Sequence, residues 1–188
     1  MNQITSRRAC GFTLMELLIT IAIAAIVMTL GIPSFRYVTN SNRIAGEVNG
    51  LLGDLQFARA EAIKEGQNVT VCVSALGASC DGTSTWQSGW MVYSNPTGVT
   101  TPVATSILRI QSTFSGTDTF VAFPATSAIT FNREGYAVGI PGAGTLISLH
   151  DFTGTTAWTR CLSITMNGMT QTAKINQAVT GVTGVTCL

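Results

Sequence analysis

The sequence predicts an α+β fold in which one long N-terminal helix packs on an antiparallel β domain of one or two sheets. Three observations support this prediction. Residues 12–32 form an apolar run. Apolar residues then recur at helical spacing as far as Gly66. From residue 67 onward, short stretches of alternating polarity are separated by turn residues. The chain therefore divides into a helix over 12–66 and a β domain over 67–188.

The apolar run has the length of a membrane span. A helix over the 21 residues from Phe12 to Ile32 would be about 30 Å long, which matches the hydrocarbon core of a bilayer. Its one formal charge is Glu16, and an unpaired carboxylate at that depth is costly, so Glu16 is a candidate functional residue. Arg7 and Arg8 precede the run, which predicts that this end stays in the cytoplasm while the rest of the chain crosses the membrane.

Two other interpretations of the N-terminus are disfavoured. An ordinary secretory signal could be cut after Ala24, because Ala22-Ile23-Ala24 has the small-x-small pattern. An acidic residue such as Glu16 is unusual inside that kind of signal. Lipidation of Cys10 is rejected, because the apolar run follows this cysteine instead of preceding it.

The segment Gly11-Phe12-Thr13-Leu14-Met15-Glu16 with its apolar continuation resembles the class III signal of type IV pilins and type II secretion pseudopilins. The resemblance implies a pilin-like fold and cleavage by a prepilin peptidase between Gly11 and Phe12, which removes residues 1–11 as a leader. It also implies N-methylation of Phe12 and an assembly role for Glu16, which would pair with the amino terminus of a neighbouring subunit. The apolar helix would serve as both membrane anchor and filament core.

The second part of the helix is predicted to be amphipathic. Pro33 removes one helical hydrogen bond and is expected to kink the helix before it resumes. Gly66 is the predicted helix stop. A stripe at i, i+3 and i+4 spacing is expected to pack on the sheet; it comprises Ile44, Val48, Leu51, Leu52, Leu55, Ala58, Ala62 and Ile63.

The β domain is predicted to contain seven to nine short antiparallel strands. Asn167-Gly168 is a hairpin signal, residues 95–98 form a predicted turn, and residues 176–188 are expected to be irregular. The candidate strands are 68–73, 89–93, 107–110, 120–123, 129–132, 136–138, 145–149, 159–165 and 172–175.

The β domain also resembles the GspH/FimT family of minor pilins and pseudopilins. The matching features are Val71-Cys72, the stretch from Trp86 to Trp90, Ile129-Thr130-Phe131, Gly135 and Arg160-Cys161. Some members of that family bind DNA through a Gly-Arg-x-Arg motif in a C-terminal hairpin. This chain has Gly168-Met169-Thr170-Gln171 at the matching place. Only Arg160 and Lys174 lie nearby, so DNA binding is disfavoured.

Composition and cysteine usage fit an exported domain. The chain has ten basic and nine acidic residues and a net charge of +1; loss of Arg7 and Arg8 with the leader would leave a net charge of −1. There is no basic excess that would indicate a polyanionic partner. Cys10 would also leave with the leader. The other four cysteines are predicted to form disulfides. Of three possible connectivities, Cys72–Cys80 with Cys161–Cys187 is favoured, because each bond closes a local loop.

No catalytic, metal or cofactor site is predicted. His150 and Asp151 are adjacent, so a strand would point them to opposite faces. His150 is the single histidine and the cysteine spacings are not those of zinc sites. Trp86 and Trp90 are expected to pack in the core or at a sheet edge, and not to form a platform for a ligand.

Together these features predict a minor pilin of a type IV pilus that helps to initiate or cap assembly, and not an enzyme. The expected partners are other pilins, contacted through the N-terminal helix, and the prepilin peptidase. The expected location is the inner membrane, with a single span and a periplasmic C-terminal domain, followed by the pilus or pseudopilus. The alternative is an H-type minor pseudopilin of a type II secretion system. A DNA-binding pilin for natural transformation is disfavoured.

Overall fold

A computed structural model describes residues 11–96, 106–114, 116–179, 182 and 187. Within these residues the chain forms one α-helix, nine strands and two short 3-10 helices at Trp86–Ser88 and Thr156–Trp158. The helix is α1 (Leu14–Glu65), and the strands are β1 (Val69–Val73), β2 (Trp90–Ser94), β3 (Ile107–Gln111), β4 (Thr119–Phe123), β5 (Ala128–Phe131), β6 (Ala137–Val138), β7 (Thr145–His150), β8 (Arg160–Ile164) and β9 (Thr170–Lys174).

The chain separates into two units, Met1–Asn40 and Ser41–Leu188. The α1 assignment runs without a break through position 33, where a kink was expected from the sequence. In the first unit every side chain from Phe12 to Ile32 is exposed. The second unit contains both sheets and the amphipathic part of α1.

The predicted apolar stripe of α1 forms the helical side of the core. Its six buried members are Ile44, Val48, Leu51, Leu55, Ala58 and Ala62. Leu52 is partly buried against the same cluster. Ile63 is an exception, because its side chain is 52% exposed. It lies about 100° further around the helix than Ala62, which places it at the edge of the buried stripe.

All paired strands are antiparallel and form two sheets, which confirms the predicted α+β architecture. The five-stranded sheet has the order β3-β2-β1-β5-β6, and the four-stranded sheet has the order β4-β7-β8-β9. In the centre of the first sheet, Val71 pairs with Val92 on one side and with Ile129 on the other. One hydrophobic cluster joins the α1 stripe to both sheets, and it includes Trp86 and Trp90. Of the two packing positions expected for these tryptophans, the core and a sheet edge, both occupy the core.

In each sheet, a disulfide attaches a further segment of the chain to the face that lies away from the main hydrophobic cluster. Cys72 on β1 bonds Cys80 with an S–S distance of 2.04 Å, and it packs in a small cluster with Met91 and Tyr93. This explains why all five residues of β1 are buried, whereas a strand with one solvated face would alternate.

The second disulfide has the same arrangement on the four-stranded sheet. Cys161 on β8 bonds Cys187 with an S–S distance of 2.02 Å, and both pack with Leu146, Ala173 and Val179. The two bonds form the connectivity that the sequence favours, in which each disulfide closes a local loop.

Element ends differ from the sequence prediction by one or two residues, and β9 begins at Thr170 instead of residue 172. The expected turn at 95–98 is described only as far as Pro96. Residues 1–10 of the expected leader lie outside the described residues, as does most of the expected irregular segment after residue 179.

Candidate assembly site at the start of the helix

The residues around Glu16 form a capped helix start. Thr13 precedes α1, and its Oγ1 accepts a hydrogen bond from the backbone N–H of Glu16 at 3.2 Å. Its carbonyl oxygen accepts from the N–H of Leu17 at 3.1 Å. Glu16 therefore lies in the first turn, where the helix dipole favours a carboxylate. Thr13 was not among the residues predicted to be functional, although Thr13-x-x-Glu16 matches the capping-box pattern.

The Gly11–Phe12 bond lies outside the helix. Residues 11–13 have no helical assignment, and the Phe12 side chain is 77% exposed. The Gly11–Phe12 bond therefore lies in a non-helical segment just before α1.

After Glu16, the surface of α1 is almost purely apolar as far as Ile32. Thr20 and Thr29 donate their hydroxyl hydrogens to the carbonyl oxygens of Leu17 and Ile26, both at 2.8 Å, so these polar groups are satisfied within the helix. Among the described residues, α1 is the one helix that is long and apolar enough to cross a membrane. Glu16 is thus a single charged group on an uncovered apolar surface.

The turn that joins β8 to β9, residues 165–169, carries no arginine. It is closed by a hydrogen bond from Gly168 N–H to Thr165 O at 2.9 Å. Arg160 and Lys174 are cross-strand neighbours on β8 and β9, so the structure brings together two cations that the sequence leaves apart. The Arg160 guanidinium already donates to the backbone oxygens of Ala157 and Thr159.

A third cation near this hairpin comes from the helix. The Nη2 of Arg59 on α1 donates to the carbonyl oxygen of Asn167 at 3.3 Å. No pattern in the sequence indicates that Arg59 is a neighbour of the hairpin, because the two are far apart in the chain and only the fold brings them together.

His150 and Asp151 have separate structural contacts. His150 Nδ1 lies 3.2 Å from Thr159 Oγ1. The buried Asp151 carboxylate accepts hydrogen bonds from the backbone N–H groups of Thr153 at 3.3 Å and Thr155 at 2.8 Å, and from the Thr153 hydroxyl. Asp151 therefore shapes the loop between β7 and β8. In the part of the chain that the structure describes, no group of three His, Cys, Asp or Glu residues could hold a metal ion.

A partly buried charge cluster lies where α1 enters the second unit. Arg43 Nη1 is 2.8 Å from Asp118 Oδ2, and Arg43 Nη2 donates to Asp118 Oδ1 at 3.1 Å. Burial, and secondly the nearby Asp118 charge, raise the pKa of Glu47 to about 7. This cluster fixes α1 to the segment just before β4.

Comparison with known proteins agrees with this geometry. The family described as "Type II transport protein GspH" matches residues 47–168, and the "Prokaryotic N-terminal methylation motif" matches residues 6–32. A search of curated proteins finds no match.

Two crystal forms of the type IV minor pilin FimU from Pseudomonas aeruginosa (strain PAO1) have a similar fold. Both are 22% identical to this chain and are covered over 99% of their own length. One covers 78% of this chain with a TM-score of 0.54, and the other covers 82% with a TM-score of 0.57. The matched family, the methylation motif and the helix-on-two-sheets fold show a structural protein and not an enzyme: the chain belongs to the GspH family of pilin-like proteins.

Proposed function

We propose that this chain is a minor pilin of a type IV pilus that helps to initiate or cap filament assembly. The observation that carries the proposal is Glu16, the single charge on a capped and otherwise apolar helix, four residues after the exposed Gly11–Phe12 bond. In this proposal a prepilin peptidase cuts that bond on the cytoplasmic side and methylates the new Phe12 amino group.

In this proposal, the exposed apolar side chains of α1 are covered by two different environments in succession. Its apolar side chains are first covered by the lipid of the inner membrane, with the β domain in the periplasm. They are then covered by the helices of neighbouring subunits when the protein leaves the membrane. Both environments have a low dielectric constant, so an unpaired Glu16 carboxylate is costly in each.

Pairing between subunits relieves this cost. The Phe12 amino group created by cleavage is a cation, and it lies close to the positive end of its own helix dipole. A Glu16 carboxylate from an adjacent subunit would form an ion pair with this cation, so that neither charge is buried without a partner. This makes Glu16 an assembly residue and predicts that filament incorporation depends on its charge.

The second candidate is an H-type minor pseudopilin of a type II secretion system. The description of the matched family favours it, whereas the structural likeness to a type IV minor pilin favours the pilus. A DNA-binding role receives little support, because the hairpin lacks the Gly-Arg-x-Arg arginines.

Mass spectrometry of sheared surface filaments and of the membrane fraction tests the proposal. Trypsin cuts after Arg8 and Arg36, so the precursor gives a peptide 9–36 and the processed protein gives an N-methylated peptide 12–36. We expect the methylated peptide in the filaments. If it is found only in the membrane fraction, the pilus assignment fails and the pseudopilin remains. A chain that begins after Ala24 would contradict both.

A further inference from the structure

A cleft of about 440 Å³ lies between α1 and the turn that joins β8 to β9. Arg59 and Ile63 line it from the helix, and Gly168, Met169 and Thr170 line it from the hairpin. Its walls include two large apolar side chains, Ile63 and Met169, which are 52% and 51% exposed. The cleft is therefore an open apolar surface with one cationic side chain.

The guanidinium of Arg59 has unused hydrogen-bonding capacity. Its Nη2 donates to Asn167 O at 3.3 Å, and its buried Nε has no hydrogen-bond acceptor. Among the described residues no carboxylate lies within ion-pair distance of Arg59, whereas Arg43, Arg109 and Arg133 each have one. A guanidinium offers five hydrogen-bond donors, so Arg59 can bind an anionic ligand without losing its existing hydrogen bond to Asn167.

Two glycines lie close to the guanidinium of Arg59. A Cβ at Gly168 would lie 3.0 Å from Arg59 Nε and 2.1 Å from the carbonyl oxygen of Gly135. A Cβ at Gly135 would lie 3.2 Å from the same Nε. Both glycines have positive φ angles, 74° and 82°. Two turns from different hairpins thus press against one guanidinium, which preorganises it and lowers the cost of binding.

We propose that this cleft binds a carboxylate carried on an apolar segment of a neighbouring protein subunit. Arginine recognises carboxylates through paired hydrogen bonds, and the walls formed by Ile63 and Met169 suit the adjoining carbon chain. A polyanion would need further cations, and Arg59 is the one charged residue among those that line the cleft. The inference rests on the proposed function, in which the chain contacts neighbouring subunits, and it holds for a pilus or for a pseudopilus.

Site-specific photocrosslinking of the full chain in its native cells tests the proposal. Ile63→p-benzoylphenylalanine places the crosslinker on the cleft wall at an exposed position. We expect the crosslinked peptide, identified by mass spectrometry, to come from another pilin-like subunit and to contain Asp, Glu or a terminal carboxylate. Adding Arg59→Gln should lower the crosslink yield by about tenfold or more, the effect of losing a charged hydrogen bond.

Two further variants separate loss of binding from loss of folding. Met169→Glu leaves Arg59 in place but supplies a competing carboxylate, so it should lower the yield in the same way. Arg133→Gln removes the same charge from an exposed turn and should leave the yield unchanged. A crosslinked peptide without a carboxylate, or a yield that is insensitive to both cleft variants, would overturn the proposal.

Nuclear magnetic resonance of the detergent-solubilised full chain gives a direct readout. Titration with N-acetyl-leucine should shift the Arg59 Nε–Hε signal, whereas N-acetyl-leucine amide should not. An equal response to the amide, or an equally strong response to acetate, would refute recognition of a carboxylate on an apolar segment. If the chain is absent from filaments but the Arg59-dependent crosslink forms in the membrane, the pilus assignment fails and the cleft proposal stands.

Discussion

The carboxylate of Asp54 on α1 accepts a hydrogen bond from the indole Nε1 of Trp90 on β2, with an Nε1–Oδ2 distance of 2.9 Å. Its other oxygen, Oδ1, lies 2.9 Å from Nη1 of Arg109 on β3. The guanidinium carbon of Arg109 lies 3.7 Å from the centre of the Phe57 ring on α1. One carboxylate therefore connects the helix to two adjacent strands, and it gives the fully buried Trp90 ring the acceptor that its N–H requires.

Asp54→Ala should destabilise the second unit by about 1–3 kcal/mol, because it leaves the buried Trp90 N–H without an acceptor. Asp54→Asn keeps an oxygen for Trp90 and loses only the half-exposed ion pair with Arg109, so it should cost about 1 kcal/mol or less. Urea unfolding of the detergent-solubilised full chain, followed by tryptophan fluorescence, measures both values. The control Glu134→Ala breaks an exposed ion pair and should change stability by about 0.5 kcal/mol or less. Equal effects of Ala and Asn at position 54 would contradict the assigned role of the indole hydrogen bond.

The apolar residues of α1 were more predictable from the sequence than its polar residues. The helical spacing identified Ile44, Leu51 and Ala58 as core, because buried positions must repeat with the helix period. The same spacing gave no information about Asp54 or Arg59, whose partners are distant in the chain. A helix that packs against two sheets buries more than one narrow stripe, so charged residues beside the stripe also find partners.

Glu47 makes the stability of the second unit depend on pH. Its pKa is about 7 in the folded chain, compared with an ordinary value of 4.5. The folded state therefore binds more protons than the unfolded state between these values, and stability falls as pH rises from about 4.5 to about 7. Asp118 and Arg43 are the charged groups that act on Glu47, and Arg43 only partly offsets the burial and the Asp118 charge.

Glu47→Gln should remove this dependence. The variant should be more stable than the parent chain by about 1 kcal/mol at pH 8, a value reduced for the partial exposure of Glu47, and should differ little at pH 4. Thermal unfolding of both chains across this pH range measures the difference. Glu65→Gln, which removes a carboxylate from an exposed pair with Lys64 at 3.3 Å on the same helix, should leave the slope unchanged. A stabilising effect of Glu47→Gln that is equal at pH 4 and pH 8 would exclude titration of Glu47 as the cause.

The two disulfides should contribute unequally to stability. The Cys161–Cys187 bond closes a separation of 26 residues, for which chain entropy predicts roughly 3–4 kcal/mol, whereas Cys72–Cys80 closes 8 residues and should contribute about 2.5 kcal/mol. Replacing both cysteines of each pair by serine and measuring urea unfolding tests the order. Loss of Cys161–Cys187 should also uncover Leu146, which amide hydrogen exchange in β7 would report. A larger loss from the Cys72–Cys80 pair would contradict the prediction.

The features at the start of the helix could largely be predicted from the sequence, because they are local. The apolar run, its single acid and the preceding Gly-Phe pair all lie within one stretch. The Arg59 cleft could not be predicted in this way, because it requires the β8–β9 turn to meet α1 from more than a hundred residues away. The close approach of Gly135 and Gly168 depends on two separate hairpins, and no pattern in either hairpin alone indicates the other.

Glu16→Ala should leave cleavage between Gly11 and Phe12 intact but prevent incorporation into filaments, because the Phe12 amino group of a neighbouring subunit would then be buried without an anionic partner. Thr13→Ala is the matched comparison. It removes the cap from the Glu16 N–H, which costs about 1 kcal/mol, but keeps the Glu16 charge, so incorporation should be reduced only modestly. Blotting of sheared filaments and membranes measures incorporation, and the tryptic peptides 9–36 and 12–36 measure cleavage in the same samples. If the Glu16→Ala protein is cleaved and enters filaments at the level of the parent chain, Glu16 is not the residue on which assembly depends.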